Sequence, residues 1–189
     1  MNIFVLDQNP IVAAQHMCNK HVVKMIVESC QLLSTAHHVL DGNKITRVAK
    51  NGRNYSTYEC VNDLFTPNIL RCTMVNHPCT IWVRSSHMAY NWLWLHVREM
   101  LNVYSERYEK IHSYYSLVQF TLIKHPKNIP HVPIEPFAQA MPDKYKNNDA
   151  VNAYRAYYIG EKSRFAKWPD GKTPSWYLDG IKQPAIISA

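Results

Sequence analysis

Apolar residues recur at helical spacing along three long stretches of the chain, and this periodicity predicts a mostly α protein. The first helix is expected over residues 11–40, because Asp41-Gly42 is a typical C-terminal signal. The second is expected over residues 78–112 and begins at a proline, which suits the first turn of a helix. A third should follow the N-cap residue Asp149 and extend to about residue 168.

The segments that connect these helices lack a helical pattern. Residues 3–6 are apolar and predict either a short buried strand or an extended N-terminal arm. Residues 43–59 are polar and basic around an Asn-Gly pair, which indicates a hairpin or a loop. Residues 124–148 carry too many prolines for a helix and should wrap the surface, and residues 169–189 should form an irregular tail. We therefore expect the 189 residues to form a single compact helical bundle with long irregular connections.

The charge of the chain indicates that this fold binds a partner. A formal net charge of +7 and a sequence pI of about 9.1 favour a polyanionic partner. Twelve tyrosines and five tryptophans accompany the charge, and aromatic faces interleaved with lysine and arginine hold unstacked bases. The same rings also serve to fill a hydrophobic core. DNA is the expected partner, a protein partner stays open, and no cofactor is expected.

The cysteines and the amino-terminal residues bear on location. The five cysteines form an odd set without C-x-x-C spacing, which is typical of reduced thiols in an intracellular protein. The first residues have too short an apolar run for a secretory signal, and no stretch reaches the length of a membrane span. We expect no membrane association and a cytoplasmic location.

The polar residues of the first predicted helix form one stripe rather than a scatter. At 100° per residue they cover about one third of the circumference. The members of this stripe are His16, Lys20, Lys24, Glu28, Gln31, Thr35 and His38, with His21 at its edge. The stripe either is an ordinary solvated face or lines a cleft. A single carboxylate among histidines and lysines suits a surface that faces an anion, with Glu28 one turn from Lys24 and able to act on a cationic centre.

The second predicted helix carries a similar polar strip, which predicts phosphate and base contacts or, alternatively, a hydrogen-bonded exposed face. Its members are Arg84, His87, Asn91, Arg98 and Asn102. Arginine forks onto phosphate, and asparagine reads a base edge. Further DNA contacts are predicted in the basic connection at Arg47, Lys50 and Arg53, and in the third helix at Arg155 and Lys162.

Most of the chain resembles an uncharacterised family of small proteins encoded by tailed phages. The shared motifs are A-x-Q-x-x-C-x-K-H-V-V-K-M-I at residues 13–26, H-P-x-x-x-W-x-R at 77–84, F-x-Q-x-M-P-D-x-Y at 137–145 and A-Y-R-x-Y-Y-x-x-E-K at 153–162. This resemblance implies the cytoplasm of a host cell as the location, and it implies no activity.

A second similarity is to the small helical pyrimidine-dimer DNA glycosylases of phages and bacteria. It rests on Gln15-His16, on the His77-Pro78 to Arg84 segment and on residues 174–177, PSWY. The resemblance implies a basic, compact, mostly helical enzyme. It also implies that the chain's own N-terminal amine attacks the sugar C1′ of a lesion, while a glutamate on the first helix stabilises the imine.

Two positions depart from that pattern. Val23 stands where those enzymes have their glutamate, and the nearest acid is Glu28, one turn further on. Asn2 is too large for efficient removal of Met1, so a small N-terminal residue is not expected. A lysine, Lys20 or Lys24, is the alternative nucleophile.

We therefore predict a DNA glycosylase/lyase-like enzyme that receives an unstacked base. Glu28 would be its acid/base or imine-stabilising residue, Lys20 or Lys24 its nucleophile, and His16 and His21 its proton partners. A non-catalytic phage protein that binds DNA, or a host protein, to alter replication or evade defence is the first alternative. A nucleotide phosphohydrolase of the HD type is the second, although the chain has no His-Asp dipeptide. No metal is expected, because cysteines and histidines do not occur at ligand spacing.

Overall fold

A computed structural model describes residues 1–60 and 69–182, and these residues form a mostly α structure as predicted. The helices are α1 (Pro10–Gln15), α2 (Asn19–Asp41), α3 (Pro78–Val83), α4 (His87–Tyr108), α5 (Ala150–Lys162) and α6 (Ser175–Lys182). The strands are β1 (Asn43–Val48) and β2 (Asn54–Glu59). A π-helical turn spans Leu117–Thr121, and a 3₁₀ turn spans Asp143–Tyr145.

The amino-terminal residues form an extended arm, the second of the two predicted alternatives. Residues 3–6 are buried and belong to no strand. The end of the arm is held by Arg155, whose Nε donates a hydrogen bond to the Leu6 carbonyl. Phe4 has a positive φ of 44°, an uncommon conformation for a residue with a side chain. The arm is therefore part of the core, and its first residues are held in place from both ends.

The prediction of one continuous helix over residues 11–40 was wrong, because the chain turns at residues 16–18. Cys18 is extended, and its N–H donates to the hydroxyl of Tyr158, 3.1 Å away. The next N–H, of Asn19, donates to the carbonyl of Lys167 at 2.8 Å. Contacts with residues far along the chain thus replace the helical hydrogen bonds here, and α2 begins anew at Asn19.

The second predicted helix, over residues 78–112, is likewise two helices. It does begin at Pro78, but α3 ends at Val83, and Ser86 is extended and caps α4 by accepting a hydrogen bond from the Ala89 N–H. Helix α4 ends before Glu109, which is left-handed with a φ of 53°. Residues 84–86 therefore interrupt the predicted helix.

The hairpin alternative for residues 43–59 is confirmed. Strands β1 and β2 pair antiparallel from Asn43↔Glu59 to Val48↔Asn54. Gly52 has a φ of 78° in the connecting turn, a conformation that glycine adopts without steric cost. The hairpin projects from the end of α2 and contacts that helix.

The C-terminal part contains more helix than expected. Asp149 caps α5 as predicted, accepting hydrogen bonds from Val151 N–H and Asn152 N–H, but α5 ends at Lys162 rather than near residue 168. Residues 124–148 contain only the short 3₁₀ turn, and most of their side chains are exposed. The tail, expected to be irregular, contains α6.

Helix α2 lies at the centre of the fold. It packs against α3 and α4, while α1 packs on α4 and α6 on α5. The buried apolar side chains form one cluster that extends from Ile3 in the N-terminal arm to Tyr177 in α6. Within residues 1–60 and 69–182, no helix combines the length and apolar character needed to cross a membrane.

Candidate active site

The amino terminus of the chain lies against the only carboxylate of the polar stripe in α2. The terminal nitrogen of Met1 is 4.0 Å from Glu28 Oε2, and the backbone N–H of Asn2 donates to the same oxygen at 3.1 Å. Lys24 Nζ lies 3.4 Å from Glu28 Oε1. Glu28 is therefore shared between two amines, and its side chain is only 16% exposed. Charged contacts in such a partly buried place are stronger than contacts at the surface.

Asn2 holds the terminus in this position. Its side-chain amide donates to the carbonyl of Ala140 at 2.8 Å, and its Oδ1 accepts hydrogen bonds from the N–H groups of Ile3 and Phe4. Asn2 is 8% exposed, so these bonds are shielded from water. The side chain that makes removal of Met1 unfavourable is thus also the one that anchors the amino terminus beside Glu28.

His77 adjoins the same charges from the start of α3. Burial lowers its pKa, the positive amino terminus lowers it further, and the carboxylate of Glu28 raises it. The ring is fixed, because Nδ1 accepts a hydrogen bond from the N–H of Cys79 at 3.2 Å as the N-cap of α3. A neutral histidine with an accepting Nδ1 carries its proton on Nε2. Nε2–H is thus the group that His77 offers to a ligand.

An aromatic and cationic cluster borders this site on the side of α5. The ring of Phe4 stacks on Tyr157 at 6.1 Å and lies 4.4 Å from the ring of His21. Lys162 Nζ donates to the Tyr157 hydroxyl and lies 4.3 Å from the centre of that ring. Burial lowers the pKa of His21 to about 4, and the charges of Lys162 and Lys24 add to this effect. His21 is consequently a neutral ring at neutral pH.

The predicted catalytic residues do not all meet. Glu28 and Lys24 are in contact, and the charge of Lys24 acts on His21. Lys20 Nζ instead lies over Phe165, 5.5 Å from its centre. His16 lies outside α2, where its Nδ1 accepts a hydrogen bond from Trp176 Nε1 at 3.2 Å. Since Glu28 is nine residues into α2, about 13 Å of helix separates it from the helix start beside His16.

The predicted stripe on α2 continues beyond Glu28 but leaves the surface. Thr35 is fully buried and exchanges hydrogen bonds with the backbone of Thr73 through its hydroxyl. The His38 ring bonds the Leu70 carbonyl through Nε2 and the Cys60 N–H through Nδ1. This half of the stripe is neither a solvated face nor a cleft lining, because residues after the hairpin cover it.

The residues predicted to bind DNA are distributed over several surfaces. Arg84 is partly buried, and its Nη1 donates to the carbonyl of Val75 at 2.7 Å. His87 stacks on His131, with ring centres 4.7 Å apart. Asn91 is exposed on α4, and the guanidinium of Arg98 lies over the ring of Trp94 at 4.9 Å.

The remaining predicted contacts lie on the hairpin and on α5. Lys50 and Arg53 are exposed at the hairpin turn, whereas Arg47 pairs with Glu59 across the strands at 2.6 Å. Arg155 is bound internally to Leu6 and, at 3.3 Å, to Asp7. Lys162 lies at the border of the candidate active site, as described above. In the described part of the chain, no group of three or more histidine, cysteine, aspartate or glutamate side chains is arranged to hold a metal ion.

Comparison with known families matches the sequence of this chain to one family of enzymes. The family model for pyrimidine dimer DNA glycosylase matches residues 1–116, which is more than half of the chain. The chain belongs to this family. At comparable stringency, no curated protein and no solved structure is similar to it. The matched region includes the amino terminus, Lys24, Glu28 and His77, so the charged cluster lies within the part that defines family membership.

Family membership also bears on the expected position of the glutamate. Val23, which stands at the glutamate position in the sequence resemblance, is 41% exposed on α2 and carries no charge. The carboxylate that meets the amino terminus is Glu28. Glu28 lies five residues after Val23 on the same helix.

The candidate residues chosen from the sequence did not include His77, Phe4 or Tyr157. For His77, the His-Pro pair at the start of a helix was a usable signal, because it placed the histidine at an N-cap. Phe4 and Tyr157 had no such signal, since isolated aromatic residues are typical of a core.

Proposed function

We propose that this protein is a DNA glycosylase with lyase activity, in which an amine held against Glu28 forms an imine with the sugar of the processed nucleotide. The observation that supports the proposal is the contact of one partly buried carboxylate with two amines, the terminal nitrogen and Lys24. Membership in the pyrimidine dimer DNA glycosylase family supports DNA as the substrate.

The chemistry requires both an amine and a carboxylate at one place. The amine nitrogen forms a bond to C1′, the C1′–N bond to the base breaks, and the electron pair leaves with the base, which takes up a proton. Glu28 accepts the proton that the amine loses and returns a proton to O4′ as the C1′–O4′ bond opens to the imine. Water then hydrolyses the imine and frees the amine, either directly or after elimination of the 3′ phosphate with loss of a proton from C2′. Positioned acid–base groups of this kind contribute about 10²- to 10⁴-fold in rate.

Two amines are candidates for the nucleophile. The side chain of Met1 is 7% exposed and holds the terminus in place, whereas the side chain of Lys24 is 68% exposed. As a class, α-amines lose their proton near pH 8 and lysines near pH 10, which favours an α-amine as nucleophile at neutral pH. If Met1 is removed, the nitrogen of Asn2 becomes the terminal amine, and it lies 3.1 Å from Glu28 Oε2. We therefore favour the terminal amine over Lys24.

DNA would approach the face that carries these groups. Lys24 and Lys162 supply positive charge beside the site, and the exposed Lys50 and Arg53 supply it at the hairpin turn. Lysine and arginine on such a surface bind phosphates with release of counterions. We assign Arg84 and Arg155, which bond backbone carbonyls, to support of the site rather than to phosphate contact.

Borohydride trapping tests this function. The protein is incubated with a duplex that contains a thymine dimer, or an abasic site at the same position, and reduction converts an imine into a stable covalent adduct. We expect an adduct with the wild-type protein. Glu28→Gln should bind the duplex as well as wild type but lose about 100-fold or more in the rate of adduct formation. Glu99→Gln, a glutamate on α4 bonded to Gln15 and Asn102, is the matched control and should react normally.

The same assay identifies the nucleophile. Lys24→Arg keeps the positive charge beside Glu28 and removes the lysine amine, so adduct formation should persist. Mass spectrometry of the digested adduct should find the sugar on the N-terminal peptide. An adduct that disappears in Lys24→Arg would assign the nucleophile to Lys24. Wild-type protein that binds both duplexes and forms an adduct with neither would instead support the alternative of DNA binding without catalysis.

A further inference from the structure

Three histidine rings meet at the start of α4. The ring of His87, the first residue of that helix, stacks on the ring of His131 with centres 4.7 Å apart and lies 6.4 Å from the ring of His125. His125 and His131 belong to the segment 122–131, and both are exposed. His87 is half-buried, and its Nδ1 is buried without a hydrogen-bond partner among the residues that the structure describes. The cluster therefore reaches the surface and contains one imidazole nitrogen that the fold does not use.

Backbone hydrogen bonds hold this segment against α4 at both of its ends. The buried hydroxyl of Tyr90 in α4 donates to the carbonyl of Leu122 at 3.0 Å, and the N–H of His87 donates to the carbonyl of Pro130 at 3.0 Å. Between these two bonds, the ring of His125 packs edge-on against the ring of Tyr90, 5.2 Å away. A ligand would meet rings whose positions are set in advance, which lowers the entropic cost of binding.

The carboxylate of Asp41 contacts the same segment and is occupied by neutral donors. Asp41 is the last residue of α2, and it accepts the N–H of Lys127 at 2.8 Å and the N–H of Asn128 at 3.0 Å, one with each oxygen. The side-chain amide of Asn128 donates to Asp41 as well, at 3.1 Å. Asp41 therefore holds the backbone of the segment in place rather than pairing with a histidine of the cluster.

Further ionisable groups beside the cluster are basic or neutral. His37 of α2 lies 2.9 Å from the hydroxyl of Tyr90, and burial lowers the pKa of this histidine to about 4. Burial also raises the pKa of the Tyr90 hydroxyl, which is therefore neutral. Lys124 and Lys127 have exposed side chains in the segment itself. These surroundings favour an anion over a cation as the ligand of the cluster.

Protonation of one ring in the cluster is opposed by the other two. Burial lowers the pKa of His125, and the charges of His87 and His131 lower it further. Neighbouring imidazolium groups repel each other unless an anion neutralises them, and a phosphate oxygen accepts a charge-assisted hydrogen bond from each N–H. Over the described ranges, no three side chains of the metal-ligating types are arranged to hold a metal ion. The cluster is therefore suited to a phosphate that is bound together with a proton.

We propose that His87, His125 and His131 form a phosphate-binding site that takes up a proton when it binds its ligand. The ligand is a phosphate group, supplied either as free inorganic phosphate or as a phosphodiester of the DNA backbone. The imidazolium N–H groups would donate to its oxygens.

This site is separate from the candidate active site. His37, which contacts the Tyr90 hydroxyl behind the cluster, lies nine residues after Glu28 on α2, so about 13 Å of helix separates it from that carboxylate. The proposal needs no imine chemistry and stands or falls independently of it.

NMR of the histidine ring protons tests the site directly. The protein is titrated with inorganic phosphate at pH 6 and at pH 8, with chloride at equal ionic strength as the reference. Phosphate itself changes charge over this range, so sulfate, whose charge is constant, is titrated in parallel. We expect phosphate and sulfate to shift the ring resonances of all three histidines. Each should raise the pKa of His125 by about one unit and bind about tenfold more weakly at pH 8, as linkage to one proton requires.

A double variant, His125→Gln with His131→Gln, removes two of the three rings. Both positions are exposed and the backbone bonds of the segment remain, so the variant should melt close to the wild-type temperature. We expect it to bind phosphate at pH 6 at least tenfold more weakly than wild type, because the charge-assisted donors are gone. His112→Gln replaces a half-buried histidine outside the cluster and is the matched control, which should bind phosphate normally.

An undamaged DNA duplex distinguishes the two sources of phosphate. If the site takes a phosphate of the DNA backbone, the duplex affinity of wild type should fall from pH 6 to pH 8 about tenfold more than that of the double variant. Equal pH dependence of duplex binding, with inorganic phosphate bound by wild type and not by the variant, would support the site and assign it to free phosphate. Ring resonances that neither phosphate nor duplex changes would overturn the proposal. A double variant that binds both ligands as wild type does would overturn it as well.

Discussion

Four histidines are buried in the described part of the chain, and three of them should make the stability of the protein fall steeply in mild acid. His21, His37 and His96 are 5%, 7% and 0% exposed. Burial is the largest cause that lowers the pKa of each of them from 6.5 to about 4. Each histidine is therefore neutral in the folded protein at a pH where the unfolded chain already binds a proton.

The sign and size follow from proton linkage. Between pH 6.5 and 4 the unfolded state binds more protons than the folded state, so the free energy of unfolding decreases as the pH falls. Above the unfolded pKa of 6.5 the stability is fully present. At pH 5 a histidine with these two pKa values destabilises the folded state by about 2 kcal/mol relative to pH 7. Three such histidines amount to about 6 kcal/mol, which is comparable to the total stability of many domains.

Urea unfolding at pH 7 and pH 5 measures this effect directly. The midpoint should fall sharply at pH 5 without a large change in slope. His21→Phe keeps an aromatic ring against Phe4 and Tyr158 and removes one titrating group, so it should reduce the loss between the two pH values by about one third. Phe4→Leu is the matched control, since it weakens the same packing without removing a titrating group and should keep the full pH dependence.

Equal stability at pH 7 and pH 5 would refute the reasoning, because it would mean that the three rings titrate alike in the folded and unfolded states. A pH dependence that His21→Phe leaves unchanged would remove His21 from the set of responsible groups.

Three further predictions concern the hairpin turn, the N-cap of α5 and the segment that precedes α3. Replacing Lys50 and Arg53 by alanine should reduce the salt dependence of DNA binding by about 0.9 in slope for each phosphate that the variant no longer neutralises, measured by titration at several salt concentrations; an unchanged slope would exclude both residues as phosphate ligands. Asp149→Ala should destabilise the protein by about 1 kcal/mol in urea unfolding, because two N–H groups of α5 lose their acceptor, and Asp149→Asn should restore most of the loss. Thr35→Val should cost about 1–3 kcal/mol in urea unfolding, since the backbone groups of Thr73 lose a buried partner; a variant as stable as wild type would contradict the role of Thr35.

Two residues hold backbone groups in place at the candidate site and near it. Asn2 binds the carbonyl of Ala140 and turns the first residues of the chain toward Glu28. Arg84 holds the segment that precedes α3, because it donates a hydrogen bond to the carbonyl of Val75. Both residues act through backbone groups that they hold in place, and neither needs to contact DNA.

The parts of the fold that depend on local interactions could be predicted from the sequence. The helix start at Pro78, the cap at Asp149 and the hairpin around Gly52 each follow from a few neighbouring residues. The net charge indicated a polyanion, and the spacing of Lys24 and Glu28 indicated one charged pair on one face of a helix. The choice of Glu28 as the candidate acid, made from the sequence, remains a prediction that the trapping experiment tests.

Other features were decided by contacts between residues that lie far apart in the chain. The break before α2 depends on hydrogen bonds to Tyr158 and Lys167, and no local signal marks it. The contact of the amino terminus with Glu28 joins groups 27 positions apart. The cavity between strand β2 and residues 72–77 likewise requires two separate segments to lie side by side. Periodicity and capping are properties of a few successive residues, so the sequence alone determined the mostly helical class, the helix starts at Pro78 and after Asp149, and the charge. Which side chains meet depends on how those elements pack, because burial of apolar surface stabilises contacts regardless of their separation along the chain. Only the tertiary structure therefore brought an amine, Glu28 and His77 together.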